Sequence, residues 1–193
     1  MPRIEPESLM TLESYARERE RFRAKVMAHK KNRTVHLGDN VTLLFEDELT
    51  MRYQVQEMLR AERIFEEQGI RDELDAYNPL VPDGRNLKAT LMIEYPDPEE
   101  RRKKLEGLIG VESKVWVQVE AHERVWAIAD EDLERDNEEK TSAVHFLRFE
   151  LSEGMAEALK RRASLAIGVE HPGYKASVET APAVRDSLAR DLA

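Results

Sequence analysis

The stretch TVHLGDNVTLLF, residues 34–45, decides the class of fold. Two apolar runs, Thr34–Leu37 and Val41–Phe45, flank the tripeptide Gly38–Asn40. Gly, Asp and Asn adopt positive φ more readily than other residues, as the turn of a two-stranded hairpin requires. Residues 34–45 are therefore predicted to form a β-hairpin.

A long amphipathic helix is predicted on each side of this hairpin. The first begins after a capping Ser8 or Thr11 and runs to about Lys31. The second covers residues 48–68, with Gly69 in the usual position after a last turn. Apolar residues recur at helical spacing in both, as Leu12, Tyr15, Phe22 and Val26 in the first and as Met51, Val55, Met58, Leu59 and Phe65 in the second.

Beyond residue 88 the spacing of apolar residues becomes that of strands. Strands are predicted at 89–95, 115–119, 125–129, 143–151 and 165–169, and short helices at 97–108, 153–162 and 183–192. The predicted class is α+β, with a mixed, mainly antiparallel sheet. The order after residue 89 also fits a ferredoxin-like βαββαβ unit, provided that the acidic stretch 130–139 forms a helix.

The length of 193 residues fits one domain. We expect a single domain over residues 1–193, with a helical part (8–70), a sheet-rich part (88–170) and the C-terminal helix (183–192). Hydrophobic residues make up 41% of the chain, which is enough to build a core. The net charge of −9 disfavours general nucleic-acid binding, because the phosphate backbone repels an acidic surface.

The chain contains no cysteine. This excludes disulfides, cysteine-ligated zinc, iron–sulfur clusters bound by cysteine and a thiolate nucleophile. The first residues lack the apolar run of a signal peptide, and no apolar stretch approaches the roughly 20 residues of a membrane span. We therefore expect a cytoplasmic protein without a membrane segment.

Several stretches resemble a known bacterial family. They are residues 42–65 (TLLFEDELTMRYQVQEMLRAERIF), 78–94 (NPLVPDGRNLKATLMIE), 127–151 (ending EKTSAVHFLRFEL) and 168–174 (GVEHPGY). Over nearly its whole length the chain resembles the family called domain of unknown function 3501. The resemblance implies a context of peroxide or redox stress, because members look to be encoded beside rubrerythrin and an iron–sulfur oxidoreductase-like protein. It implies no catalytic residue.

Rubrerythrin is a di-iron protein, so a metal site is the first question. Di-iron sites of that kind use Glu-x-x-His pairs, which place both ligands on one face of a helix. Neither long helix has such a pair, and the five histidines show no metal-binding spacing. We predict no metal site and no cofactor.

Glu62 and Arg19 fall inside the apolar stripes of the two predicted helices. A buried carboxylate must be paired or protonated, because an unpaired buried charge is strongly destabilising. One interpretation makes Glu62 a catalytic or gating acid with a raised pKa. The other makes it a structural ion pair with Arg19 or another arginine.

His145 alternates onto the face of Leu147 and Phe149, so its ring is predicted to point inward. It is either a core histidine satisfied by a hydrogen bond or, with Glu62, a catalytic candidate.

The loop of residues 78–88 is the other candidate for a site. Its turn Pro82–Gly84 is followed directly by a predicted central strand. Its polar residues, the candidate ligand-binding set, are Asn78, Asp83, Arg85, Asn86 and Lys88. They are able to hold a small anion through backbone N–H groups and the two cations, or the loop is simply a rigid connector fixed by prolines.

Residues 17–33 carry eight basic residues against two acidic ones, in a chain that is otherwise acidic. This basic run is either a solvated helix surface or a docking patch for an acidic partner. The candidate partner-binding residues are Arg17, Arg21, Lys25, Lys30 and Lys31.

Two hypotheses follow. The first is a non-catalytic accessory or interaction protein, whose partner is rubrerythrin or an iron–sulfur protein from the family context and for which a homodimer remains open. The second is an enzyme or small-anion-binding protein that uses the 78–88 loop with Glu62, His145 or His171. A deep pocket joining the loop to Glu62 would favour the second hypothesis, and a shallow charged surface would favour the first.

Overall fold

The computed structural model describes residues 3–129 and 141–193. The helices are α1 (Leu12–Lys30), α2 (Glu48–Ala61), α3 (Glu67–Tyr77), α4 (Pro98–Glu106), α5 (Glu153–Lys160) and α6 (Pro182–Ala189). The strands are β1 (Thr34–Leu37), β2 (Val41–Glu46), β3 (Asn86–Ile93), β4 (Val115–Val119), β5 (Arg124–Trp126), β6 (Val144–Glu150), β7 (Leu165–His171) and β8 (Tyr174–Glu179). These elements confirm the α+β class. The acidic stretch 130–139 lies outside the described residues.

The strands form two four-stranded sheets, which we call sheet A and sheet B. The order in sheet A is β1-β2-β3-β6 and in sheet B β5-β4-β7-β8, and all neighbouring strands are antiparallel. A ferredoxin-like unit is not confirmed, because β3 and β6 belong to sheet A whereas β4 and β5 belong to sheet B. The physical reason lies in α4, whose only buried residue is Leu105, so this helix cannot cover a sheet face.

The inner faces of the two sheets cover each other instead. Strand alternation turns every second side chain inward, so that Phe45 of β2, Val117 of β4, Phe149 of β6 and Ile167 of β7 belong to one buried cluster. The rings of Phe45 and Phe149 lie 6.3 Å apart. Because β1 and β2 form half of sheet A, the predicted helical part of the chain contributes directly to this core.

Tyr174 joins the two sheets at the β1–β2 turn. Its hydroxyl donates a hydrogen bond to the carbonyl oxygen of Leu37 at 2.5 Å. In the same turn Gly38 has a φ of +70°, and a Cβ there would lie 2.5 Å from the Tyr174 hydroxyl oxygen. Glycine is therefore required at this position, both for the backbone angle and for the space.

The second long helix is shorter than predicted. It ends at Ala61, and α3 begins at Glu67 after a tight turn. In this turn Arg63 has a φ of +55°, and the N–H of Ile64 donates to the carbonyl oxygen of Leu59 at 2.9 Å. This is the hydrogen bond of a Schellman C-cap, formed here without a glycine in the left-handed position.

Gly69 was expected to close the second helix, and this prediction is wrong. It lies inside α3, where a Cβ would come within 2.7 Å of the Ile64 Cγ2 atom. Ile64 packs against a second apolar cluster, built by α2, α3 and the N-terminal Ile4. Phe146, on the outer face of β6, contacts the same cluster, so α2 and α3 cover that face of sheet A. The glycine therefore serves helix packing rather than helix termination.

Strand β8 was not predicted. Of its six residues only Tyr174 and Ala176 are partly buried, so the apolar alternation that marks a strand is weak. It pairs with β7 along the edge of sheet B, where exposed polar side chains are usual.

Candidate functional site

The inner side of α1 is fixed by Glu57 of α2. Tyr15 is fully buried, and its hydroxyl donates to Glu57 Oε1 at 2.6 Å. Arg19 donates to both carboxylate oxygens of Glu57, at 2.8 and 3.0 Å. This hydrogen-bonded pair lowers the pKa of Glu57 below its ordinary value. The partner of Arg19 is therefore Glu57, so the alternative in which Arg19 pairs with Glu62 is wrong.

The opposite side of α1 is exposed and carries more basic than acidic side chains, the exposed acids being Glu13, Glu18 and Glu20. We use the name α1 outer face for the exposed side chains of Arg17, Arg21, Ala24, Lys25, Ala28 and Lys31. Arg17 pairs with Glu13 one turn earlier, at 2.6 Å. Among the described residues, none lies within ion-pair distance of Arg21, Lys25 or Lys31. These cations are available to a partner.

Lys30, also a predicted partner-binding residue, differs from these cations. It is only partly exposed, and its ammonium group lies 5.4 Å from the centre of the Tyr53 ring. A cation–π contact therefore ties Lys30 to α2, so it is not part of the α1 outer face.

Arg33, in the same basic run, has a different role. Only 1% of it is exposed, and its guanidinium donates to the carbonyl oxygens of Phe45 and Glu46 at 2.8 and 3.1 Å. It also donates to both carboxylate oxygens of Asp191, at 2.5 and 3.2 Å, and to Ser187 at 3.3 Å. Arg33 therefore fastens the C-terminal segment to the end of β2.

His29 and Asp47 continue this polar cluster towards solvent. His29 Nε2 lies 2.6 Å from Asp47 Oδ2, which lies 3.5 Å from Arg33 Nη1. Asp47 also caps α2 by accepting the N–H of Thr50 at 3.0 Å. The two residues line a cleft of about 370 Å³ next to Arg190.

Asp191 shows how strongly the cluster is buried. Burial raises the pKa of Asp191 to about 6, although Arg33 acts in the opposite direction by stabilising the charged form. Asp191 therefore binds a proton more readily in the folded chain than in the unfolded one.

Sequence reasoning did not identify this cluster. Asp47 precedes Thr50 by three residues, which is a capping signal that could have located it. Arg33 and Asp191 lie 158 residues apart, and no local pattern connects them.

Glu62 is not buried. Because α2 ends one residue before it, Glu62 lies at the C-cap and is exposed rather than inside an apolar stripe. The same early end leaves Phe65 73% exposed, although it was expected in the stripe. The predicted burial of Glu62 is therefore wrong.

The inward orientation of His145 is confirmed. The ring is fully buried, and its Nε2 lies 2.8 Å from Thr141 Oγ1 and 3.0 Å from the Ser142 carbonyl oxygen. His171 is also buried, with its Nε2 3.0 Å from the Ile109 carbonyl oxygen. The structure does not bring His145 together with Glu62, since one is enclosed in the core of the sheets and the other is on the surface.

The polar side chains of the 78–88 loop are occupied by contacts within the chain. The amide of Asn78 bonds the backbone of Ile4, and the amide of Asn86 bonds Glu150. Asp83 accepts the N–H of Arg85 at 2.9 Å in an Asx turn. Lys88 is buried and donates to the carbonyl oxygen of Pro79. Of the predicted set, only Arg85 has an exposed side chain.

In residues 3–129 and 141–193, no three His, Asp or Glu side chains converge so as to hold a metal ion. No helix in these ranges combines the length and the apolar composition that crossing a bilayer requires.

The comparisons with known proteins concern the whole chain. No curated protein matches it. A crystal structure described as a novel protein of unknown function from Burkholderia pseudomallei K96243 is 54% identical, covers 100% of both chains and superimposes with a TM-score of 0.95. The model of the family described as protein of unknown function (DUF3501) matches residues 3–192. The chain therefore belongs to the DUF3501 family.

Proposed function

We propose that this protein is a non-catalytic interaction protein of the cytoplasm, which docks onto an acidic surface of a partner through the α1 outer face. The observation that carries the proposal is the row of exposed cations Arg17, Arg21 and Lys25 in a chain of net charge −9. Their i,i+4 spacing aligns them along one side of the helix. Such a row attracts an acidic surface and orients it during encounter.

The scaffold beneath this face supports the proposal. The contacts of Tyr15 and Arg19 with Glu57, and of His29 with Asp47, hold α1 against α2 near both of its ends. A cation row on a firmly held helix keeps its backbone spacing when a partner binds, so the loss of conformational entropy is confined to the side chains.

The family resemblance supplies the context. It suggests an accessory role in peroxide or redox stress, with rubrerythrin or an iron–sulfur protein as the partner. Any such role would be indirect, because the chain has no cysteine to ligate a cluster or to exchange electrons as a thiol.

The alternative, an enzyme or a small-anion-binding protein, has less support. Glu62 is exposed, His145 is enclosed, and four of the five polar residues of the 78–88 loop are bonded within the chain. The cleft beside His29 and Asp47 is the best remaining position for a ligand. Its lining carries three carboxylates, of Asp47, Glu48 and Asp191, against the arginines Arg33 and Arg190, so it has no excess of positive charge to hold an anion.

The test compares two triple charge reversals. In R17E/R21E/K25E the α1 outer face becomes acidic, whereas R102E/K103E/K104E makes the same change of charge on the exposed part of α4. Each protein is immobilised and tested for binding of purified rubrerythrin and of proteins from an extract of the source organism. We expect wild type and the α4 variant to retain an acidic partner that the α1 variant does not retain.

Binding through exposed charges also weakens with salt, because counterions screen the attraction over a Debye length of about 10 Å at 0.1 M. A partner retained equally by the α1 variant, or retained unchanged at high salt, would contradict the proposal.

A further inference from the structure

Strand β8 forms one edge of sheet B. It pairs with β7 on one side, and in the part of the chain that the structure describes no strand pairs with its other side. We use the name β8 edge segment for Lys175–Glu179 (KASVE), which is exposed except for the half-buried Ala176. A strand edge that is open in this way presents its backbone groups to a further strand.

The register with β7 decides which backbone groups of β8 are unpaired. The N–H of Thr180 donates to the carbonyl oxygen of Leu165 at 2.8 Å. Because bonded and non-bonded pairs alternate along an antiparallel ladder, the even-numbered residues of β8 direct their N–H and C=O groups towards β7. The backbone groups that point outward from the sheet edge are therefore those of Lys175, Ser177 and Glu179. Within the described residues no backbone group bonds to them.

The side chains of the β8 edge segment are complementary to those of a second copy of the same segment. When two segments run antiparallel about a two-fold axis at Ser177, Lys175 of each copy lies opposite Glu179 of the other. Ala176 of each copy then lies opposite Val178. Opposite charges and apolar side chains are favourable neighbours at directly facing positions of a sheet.

The alternative symmetric registers are less favourable. An axis at Lys175 or at Glu179 would place like charges directly opposite each other, which is destabilising. An axis at Ala176 or at Val178 would leave the charges opposite uncharged residues. The register centred on Ser177 therefore sets both lysines opposite glutamates, and it also brings every outward N–H of one copy to an outward C=O of the other.

The charged side chains of this segment are free to make the contact. Among the described residues, neither Lys175 nor Glu179 has an ion-pair partner, and Glu170, which lies opposite Lys175 on β7, is paired with Arg124 at 2.6 Å. A lysine on an edge strand normally opposes pairing, because a neighbouring strand would bury its charge. Here the approaching strand would supply the compensating acid.

Val178 gives the contact an apolar component. Its side chain is 38% exposed, although the opposite residue on β7, Ile167, is fully buried. Pairing with a second copy would place Ala176 of that copy beside Val178 and remove apolar surface from water.

We propose that a second copy of this chain binds the β8 edge segment, antiparallel and with Ser177 on the two-fold axis, so that sheet B of each copy continues into that of the other. The same segment of each copy meets the other, so the contact is isologous and closes as a dimer rather than a fibre. The inference goes beyond the proposed function, since no residue of the α1 outer face takes part in this contact.

Sedimentation of the full chain tests the pairing through a charge swap. K175E has two acids on the segment and E179K has two bases, so each homodimer would place like charges opposite each other twice. Each is expected to weaken the dimer at least about tenfold. Their equimolar mixture, and the double variant K175E/E179K, are expected to dimerise like wild type because the facing charges are again opposite. The control K103E makes the same change of charge on the exposed part of α4 and is expected to have no effect.

A proline tests the backbone contact separately. S177P removes the outward N–H at the axis, whereas the hydrogen bonds between β8 and β7 do not use this group. S177P is expected to be monomeric with an unchanged circular dichroism spectrum. The matched control S177A retains the N–H and is expected to dimerise like wild type. If S177P does not fold, the charge swap decides.

Wild type is expected to dimerise at about 10–100 µM, an affinity that fits a small contact between two edge strands. A wild type that stays monomeric throughout this range would overturn the inference. A dimer that persists in folded S177P, or in both K175E and E179K, would also overturn it, as would a mixture of these two variants that stays monomeric. None of these results affects the proposed function, which depends on binding through the α1 outer face.

Discussion

Arg21 and Arg33 belong to the same basic run, twelve residues apart, and have opposite environments. Arg21 projects from α1 into solvent with no ion-pair partner among the described residues. Arg33 is enclosed and donates to Phe45, Glu46, Ser187 and Asp191. The difference arises because Arg33 follows the end of α1, where the chain turns into β1 beneath the C-terminal segment.

The comparison separates two uses of positive charge. Arg33 contributes to the fold, because its burial is compensated only by the complete set of acceptors around it. Arg21 contributes little to the fold, because solvent and salt screen an exposed charge, but it remains able to meet a partner. Substitution of the arginine is therefore expected to reduce stability at position 33 and binding of a partner at position 21.

The largest change in stability is expected for the substitution R33M. Methionine fills much of the same volume but leaves Asp191 and the carbonyl oxygens of Phe45 and Glu46 without their donor. Removing one partner of a buried ion pair costs about 3–5 kcal/mol, so we expect a loss of this size in the free energy of unfolding. Urea denaturation monitored by circular dichroism would measure it.

The matched control is R21M, the same substitution in the same basic run. It should change the free energy of unfolding by less than about 0.5 kcal/mol, as most exposed substitutions do. Equal losses in R33M and R21M would show that the Arg33 contacts do not stabilise the fold.

The sequence indicated features that depend on near neighbours. The period of two in 143–151 correctly placed His145 on the buried face, because alternation follows directly from strand geometry. The helical projection failed at Glu62 because it extended a regular helix past Ala61, where the backbone turns into the left-handed region at Arg63. The residue types did not predict that turn, because its left-handed position holds arginine rather than glycine.

The candidate surfaces depend on distant parts of the chain, which the sequence alone could not bring together. The basic run was visible, but its division into an exposed row and the buried Arg33 requires knowing where α6 and Asp191 lie. The 78–88 loop was a reasonable candidate from its composition. Its polar groups are bonded to Ile4, Glu150 and the loop itself, and two of these contacts span more than 60 residues.

A second prediction concerns Asp191, the buried partner of Arg33, and how its contribution to stability changes with pH. The pKa of Asp191 is about 6 in the folded chain against an ordinary value of 3.8, so the folded state binds the proton more tightly than the unfolded state. The contribution of this group to stability is therefore fully present below about pH 4 and is lost as the pH rises through 6. A shift of about two pH units corresponds to about 3 kcal/mol at most.

Measuring the free energy of unfolding between pH 4 and pH 8 for wild type and D191N separates this contribution from that of Glu46, whose pKa is also raised by burial. We expect the stability of wild type relative to D191N to rise as the pH falls from 7 to 4. A difference that stays constant with pH would mean that Arg33 cancels the effect of burial, and one that rises with pH would mean that Arg33 outweighs it.

The smallest expected effect is a difference in coupling energy between two ion pairs on opposite sides of α1. Arg19 contacts both oxygens of Glu57 beside the buried Tyr15, whereas Arg17 and Glu13 are both largely exposed. A bidentate pair across two helices has fixed geometry, whereas an exposed pair within one helix loses most of its attraction to solvent. Double-mutant cycles with R19A and E57A, and with R17A and E13A, should give the larger coupling energy for the first pair.

The first coupling should also persist in high salt while the second disappears, because only the second is fully accessible to counterions. Equal couplings would mean that the inner side of α1 is held by apolar packing alone, and that the helix presents its outer cations without help from Glu57.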